Sequence, residues 1–525
     1  MSGKAKVIVV GFDGATFSIA DPLMRAGQMP NLSALCSRGC RAVLESTTPW
    51  LSPPAWITMM TGLNPGRHGI FNFTRMQPDL RSVPLPSFEI KGGKLWSILN
   101  SHGLKTGVVN VPMTYPADPV DGFMISGLPG AGIEVHPESR RPDLERTGYI
   151  YQYNVQLEND YIVNSRDLTA ARVYNDACRA KAALSLADME PDFLMVVFSA
   201  TDELQHTVWH GWDTTHPANA NADMSWETAT VPLAYINSDR YLGEIVARYA
   251  GPETYIFVVS DHGFGPARWM FFPNNLLADW GYLTPGGPAP GDPLAGDENY
   301  SPAKLGFDPA RTKSFMGPAI IGPFGEMYLN VKGRNAAGTV GQGDEYARLR
   351  GEIAARFLEW RDPVTGVKPV TAVHMREDLY DGPYAEYAPD FLIESDYCRI
   401  QPTVREYPAV TRCMPWHMPT KGQTGMHARD GIIVAAGPGI RQGADCGRLR
   451  IVDTMPTIMY CMGPAQPAGL DGRVMDSLFR PEHLGANPVR IGERGYETGD
   501  GRMPAPDAEE TAAMTDVLRG LGYFE

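Results

Sequence analysis

Apolar and polar positions along the chain fall into two alternating patterns. Short, near-continuous apolar runs occur at Lys6–Phe12 (KVIVVGF), Thr106–Asn110 (TGVVN), Phe193–Phe198 (FLMVVF), Tyr255–Ser260 (YIFVVS) and Gly431–Ala436 (GIIVAA). A run of that length without a polar face predicts a strand buried on both sides. Between the runs, amphipathic spacing predicts helices over Gly93–His102, Ala170–Met189 and Ile236–Tyr249. Buried strands alternating with amphipathic helices predict an α/β fold on a largely parallel sheet.

The pattern also marks its own interruptions. Residues 283–302 (LTPGGPAPGDPLAGDENYSP) carry too much Pro and Gly for a regular element and read as a long loop. From 271 to 420 the signal is mixed, with one charged helix near Glu345–Arg361, and we read this stretch as an insertion or cap. The main domain is then discontinuous, 1–270 and 421–484, with a smaller excursion at 131–165 and a C-terminal tail at 485–525. After the last strand, VDTMPTIMYCMG reads as a helix capped by Asp453.

Composition narrows the function classes. The chain has 525 residues, 43% of them hydrophobic, enough for a large core. Its net charge is −14 with no Lys/Arg-rich block. Phosphate-backbone binding needs concentrated positive charge, so a nucleic-acid polymer is not an expected partner. A small anionic substrate fits if metal ions or a few arginines offset the field. Seven scattered cysteines without a CxxC suggest reduced thiols. No window reaches 18 uninterrupted apolar residues, and MSGKAKVIVVGFDG enters a strand without a leader-like stretch. The expectation is a soluble cytoplasmic protein with no membrane partner; oligomeric state is open.

The chemistry-bearing residues cluster where buried strands end. Asp13 follows the first strand in GFDG; Asp202 and His206 follow another in FSATDELQH; Asp261 and His262 follow a third in VVSDHGFG; His427 precedes the late strand in TGMHARDG. Open α/β sheets bind ligands at the carboxyl ends of their strands. Carboxylate oxygen with imidazole nitrogen is the donor set of zinc or manganese. Asp202 and His206, four apart, share one face if their segment is helical. Each alone has a structural reading, as a turn or cap residue. Four strand ends together read as a metal cluster.

One further stretch, TPWLSPPAWITMMTGLNPGRHGI at 48–70, sets a Ser before two prolines and an apolar run. It predicts a helix start with Ser52 as N-cap and Pro53 at the first helical position. The partial positive charge and unpaired N–H groups of such an end favour an alkoxide and a phosphate.

In the order GFDG, TPWLSPPAW…MTGLNPGRHGI, TDELQH, SDHGFG, MHARDGIIVAAGPGI and IVDTMPTIMYCMG…LDGRV, the chain resembles the alkaline phosphatase superfamily. Within it, the resemblance is to the type I phosphodiesterase/nucleotide pyrophosphatase-like branch. It implies a three-layer α/β/α sandwich with a largely parallel central sheet and a cap insertion. It implies two divalent ions, zinc with manganese as the alternative. Asp202, His206 and His427 would hold one, and Asp13, Asp261 and His262 the other. Ser52 would be the nucleophile and its oxygen a ligand of one or both. The implied reaction is hydrolysis of a phosphodiester or pyrophosphate bond in a small phosphorylated substrate, a nucleotide among them, through a covalent Ser52 intermediate. Phosphomonoesterase, phosphomutase and a non-catalytic binding protein are the alternatives. A sulfatase motif fails where its Arg is Trp56. Ala55 offers no phosphate contact; Asn110, in VVNVPMTYP, is the candidate substrate-binding donor. Arg67 and His68 read as cap residues at a helix end.

Overall fold

The first strand sets the frame. In the computed structural model, which describes residues 6–130, 132, 134–148, 165–219, 226–286, 306–317, 322–402, 404, 408–413, 423–492 and 507–520, Val7–Phe12 (β1) is buried at all six positions. The other strands of its sheet are β2 (Cys40–Glu45), β5 (Thr106–Val109), β6 (Gly122–Ile125), β7 (Val135–His136), β8 (Phe193–Phe198), β9 (Tyr255–Val259), β19 (Asp430–Ala436) and β20 (Ala444–Arg450). Their order is β20-β2-β19-β9-β1-β8-β5-β6-β7. β1 pairs in parallel with β8 and β9, β5 with β6 and β8, and β2 with β20. Only β19 and β7 run against their neighbours. The sheet is therefore largely parallel, with the late strand reversed.

Alternate residues of β1 feed two different cores, as a pleated strand must. Ile8, Val10 and Phe12 pack under helices Phe17–Arg25, Pro30–Arg38 and Glu227–Tyr249, while Val7 and Val9 pack with Trp56, Met59, Leu95 and Met455 on the opposite face. Helices on both faces of one mostly parallel sheet make the three-layer α/β/α sandwich.

Smaller sheets lie outside this one. β3 (Thr74–Met76) and β4 (Ser82–Pro84) form a hairpin; β10 (Gly263–Pro266) pairs antiparallel with β18 (Gly425–Ala428). β11 (Trp269–Phe271) sits between β16 (Cys398–Ile400) and β17 (Val410–Arg412). β12 (Ser314–Met316), β13 (Phe324–Leu329), β15 (Phe391–Glu394) and β14 (Ala372–Met375) make a four-stranded antiparallel sheet covered by helix Asp344–Glu359. One apolar cluster joins Phe315, Leu329, Ile353 and Phe391 to Leu51, Ile57 and Ile70, so this region packs directly on the Ser52 helix.

Two local expectations need correction or restriction. Asp453 precedes helix Thr454–Met462 but makes no side-chain cap bond. Its carboxylate is taken instead by Arg450 (Nε–Oδ2 3.0 Å) and by the Arg473 amide (2.9 Å). Most of the 131–165 excursion and residues 287–302 of the expected loop lie outside the described residues.

Candidate active site

The site begins where β1, β8 and β9 run out. Asp13 follows β1 and its amide bonds the Phe198 carbonyl, 3.0 Å, at the end of β8. Asp261 and His262 follow β9. Asp202 and His206 lie on helix Ala200–Trp212, which starts two residues after β8, so the four-residue spacing does put both on one face. His427 comes from β18, whose pairing with β10 (Phe264↔His427) folds it back over the strand ends.

Ser52 opens helix Ser52–Thr61, all ten of whose residues are buried. The expected cap is not there. Leu51, with extended backbone at φ −124° and ψ 147°, holds the N-cap position, and Ser52 is the first helical residue with no cap bond. Pro53 and Pro54 have no N–H to give, and the Ala55 amide is bonded to the Leu51 carbonyl at 3.0 Å. The helix end keeps its dipole but loses most of the donor cradle that the sequence pattern suggested.

All seven predicted cluster residues converge. Ser52 Oγ is 3.2 Å from His262 Nε2. The same nitrogen is 3.1 Å from Asp261, 3.8 Å from Asp13 and 3.9 Å from Asp202 carboxylate oxygens. His427 Nε2 is 3.1 Å from Asp202 Oδ1 and 2.9 Å from His206 Nε2, and His206 Nε2 is 3.6 Å from Asp202 Oδ2. None of the seven is more than 7% exposed. Two sets, Asp202–His262–His427 and Asp13–Asp261–His262, each bring one ligand atom per residue within 4.8 Å of the others. The structure thus puts His262 in both sets, with His206 against His427 at the edge.

The backbone fixes the imidazole tautomers. His206 Nδ1 faces the Gly425 carbonyl at 3.3 Å, His262 Nδ1 the Gly263 carbonyl at 3.1 Å, and His427 Nδ1 the Trp50 carbonyl at 3.2 Å. A carbonyl only accepts, so each Nδ1 carries the hydrogen and each Nε2 turns a lone pair inward. Asp13 Oδ1, Asp202 Oδ1 and Asp261 Oδ2 are buried without a hydrogen-bond partner. Lone pairs from three imidazoles and three carboxylates meet in one buried pocket. Their common remedy is a cation. The donor set, oxygen with imidazole nitrogen, is that of a divalent metal, and backbone bonds at Nδ1 are the usual outer support of a ligating histidine.

The titration of the cluster says the same. Burial first, then the neighbouring Asp261 and Asp202, holds the Asp13 carboxyl well above its usual range. Burial pushes Asp202 up to about 7 and raises Asp261. It drives His206 and His262 down, and His427 to about 3. Packed carboxylates cannot all stay charged without positive charge among them.

Sequence reasoning missed the groups that brace this set. Trp56 Nε1 donates to Asp13 Oδ2 (3.1 Å), the Gly14 amide to Asp261 Oδ1 (3.2 Å) and Thr201 Oγ1 to the Asp13 carbonyl (2.6 Å). Trp56 had a signal: a polar-tipped ring in an otherwise apolar helix needs a partner. Asn110 follows β5 at φ 58°, and its side-chain Nδ2 donates to the Val197 carbonyl at 3.0 Å, tying it to the sheet. Arg67 bonds Asp471 and the Gly469 carbonyl, and the buried His68 is held between Thr58 and the Ile70 amide.

Residues 7–398 match the model of the type I phosphodiesterase / nucleotide pyrophosphatase family. The chain belongs to that family. As a member it is a phosphoester-hydrolysing enzyme. Its fold is shared with a phosphonoacetate hydrolase from Sinorhizobium meliloti 1021, solved with phosphonoacetate, at 16% identity and a TM-score of 0.55, covering 88% of this chain and 96% of that one. The same hydrolase solved with phosphonoformate gives 17% identity and a TM-score of 0.57, with 88% and 96% covered. Human ectonucleotide pyrophosphatase / phosphodiesterase 5 gives 13% identity and a TM-score of 0.51, with 90% of this chain and 100% of that one covered. No curated protein gives a significant match. Among the described residues no helix is long and apolar enough to cross a membrane.

Proposed function

We propose that this family member hydrolyses a phosphodiester or pyrophosphate bond of a small phosphorylated molecule, a nucleotide among the candidates, by attack of Ser52 on phosphorus. The observation that carries the reading is the inward turn of three Nε2 lone pairs onto three carboxylates beside Ser52 Oγ. Two divalent cations, zinc or manganese, would be held by Asp13, Asp202, His206, Asp261, His262, His427 and Ser52 Oγ; when bound they supply the Lewis acidity that favours ionised serine and neutralises phosphoryl oxygens.

The chain's own residues do the rest. The hydrogen bond to His262 aims Ser52 Oγ into the cluster. Attack forms the Ser52 Oγ–P bond and breaks the bond from phosphorus to the leaving oxygen; the serine hydroxyl gives up its proton and the leaving oxygen takes one up. Water then cleaves the phosphoserine ester and restores the hydroxyl. Asn110, at the end of β5, is the candidate polar contact to the substrate.

The test measures metal per chain and hydrolysis of bis-p-nitrophenyl phosphate by the wild type and Ser52→Ala. The reading expects about two ions per chain in both proteins and a rate loss in the variant of at least about 1,000-fold, since the nucleophile itself is gone. Full activity in Ser52→Ala would sink it.

A further inference from the structure

The helix that carries Asp202 and His206 does not run straight. Within Ala200–Trp212, Val208 leaves helical backbone, at φ −128° and ψ 29°. In a regular α-helix the His206 carbonyl would accept from the His210 amide, and the Thr207 carbonyl from the Gly211 amide. Here an outside residue reaches into that ladder. The Thr424 amide donates to the His206 carbonyl at 2.8 Å, and the Thr424 hydroxyl accepts from the His210 amide at 3.3 Å. The same hydroxyl lies 3.2 Å from the Thr207 carbonyl and 2.9 Å from His210 Nδ1. A side chain set into the hydrogen-bond ladder is a known cause of a helix kink. Thr424 is fully buried, and the buried Glu227 holds the far side of His210, Oε2 to Nε2 3.2 Å. A carboxylate accepts the Nε2 hydrogen, which leaves Nδ1 to accept from the hydroxyl.

This splice joins the two histidines at the edge of the cluster. Thr424 immediately precedes β18. The Gly425 carbonyl of that strand takes the His206 Nδ1 hydrogen at 3.3 Å, and His427 of the same strand brings Nε2 to 2.9 Å from His206 Nε2. Thr424 thus bonds the helix of one histidine to the strand of the other through both its amide and its side chain. Any residue but proline at 424 could supply the amide. Only a hydroxyl meets the His210 amide as well. Without it that buried N–H needs another acceptor, and a straight helix offers the His206 carbonyl. Taking it would undo the kink and compete with the residue 424 amide for the same oxygen.

We propose that Thr424 is a positioning residue whose hydroxyl holds the kink at Val208 and so places His206 against His427 for cation binding. The proposal rests on the cation reading given above; its test separates the two.

Zinc binding to the metal-free full-length chain is measured by calorimetry for wild type, Thr424→Val and Thr424→Ser, and amide hydrogen exchange is followed in the same metal-free proteins. Thr424→Val keeps the branched shape and removes the hydroxyl; Thr424→Ser keeps the hydroxyl and removes a methyl. Thr424→Val should weaken zinc binding about 10- to 100-fold, as loss of an outer support of a metal ligand does. Its residue 424 amide should exchange at least about 10-fold faster than in wild type, because the His206 carbonyl is then contested. Thr424→Ser should stay within about threefold of wild type in both measurements. Equal losses in the two variants overturn the proposal, since packing and not the hydroxyl would then be at work. If Thr424→Val does not fold, Thr424→Ala is set against Thr424→Ser; these differ by the hydroxyl alone, and equal zinc affinities overturn the proposal. A wild type that binds no zinc overturns the cation reading and this proposal with it; a zinc-binding wild type with an indifferent Thr424→Val overturns only this one.

Discussion

At the scale of single residues, position in the helix decides what a substitution costs. Ser52 makes no cap bond, so Ser52→Ala removes a hydroxyl that hydrogen-bonds His262. We expect unfolding free energy to change by about 1 kcal/mol or less, measured in urea, while turnover disappears. Glu326 offers a second test. Asn72 Nδ2 and Tyr328 OH both donate to its carboxylate, at 2.8 and 3.1 Å, yet burial outweighs them and lifts it to about 7 from 4.5. A carboxyl raised in the fold stabilises it fully below the unfolded value, and that contribution is lost as pH rises through the folded one. Glu326→Gln keeps the shape and removes the charge. Its melting temperature should exceed wild type at pH 8 and match it at pH 4; a pH-independent difference would remove Glu326 from this role. The cluster residues were readable in sequence because Asp13, Asp202, His206, Asp261 and His262 follow buried apolar runs and His427 precedes one. Their tautomers were not, because the carbonyls that set them come from Gly425, Gly263 and Trp50, and only the Gly263 carbonyl is local in sequence.

At the scale of elements, the site depends on how closely β18 approaches the helix carrying Asp202 and His206. A Cβ at Gly425 would stand 2.2 Å from the Gln205 carbonyl oxygen, a backbone atom that cannot swing aside. Gly425→Ala should part His427 from His206 and destabilise the fold by roughly 1–3 kcal/mol, as overpacking does. Metal content measured on the folded fraction should fall below wild type. Retention of both stability and metal would mean that the position of β18 is not what holds the cluster. Elements were legible where the period was long and clean. The helix expected from Ile236 instead begins at Glu227, running through Pro232, because Thr230, Val231, Ala234 and Tyr235 bury themselves against neighbours. Packing there outweighs the amide bond that a proline forfeits.

At the scale of the whole molecule, the proposed cation site would couple folding to metal. Three buried carboxylates in one pocket repel unless a cation joins them, and a ligand that binds only the folded chain stabilises it by mass action. Adding zinc or manganese at about 100 times its dissociation constant should stabilise the chain by about 2.7 kcal/mol, and chelation should reverse this. A melting temperature indifferent to both would argue against the ligand set. The smaller sheets also reach the site. Trp50, two residues before Ser52, packs its ring 4.4 Å from Phe324 of β13, so the start of the Ser52 helix is braced by that sheet.

The sequence alone determined the alternation of buried strands and helices, the donor types at the strand ends and the serine at a helix start. These are local properties, fixed by side-chain chemistry and by periods of two and 3.6 residues. Tertiary structure alone decided that the late strand runs antiparallel, that His262 stands in both candidate cation-binding groups and that the Trp50 and Gly425 carbonyls set the tautomers of His427 and His206. Those facts depend on contacts between residues hundreds of positions apart, and neither the spacing nor the periodicity of a segment carries information about which distant backbone it will meet.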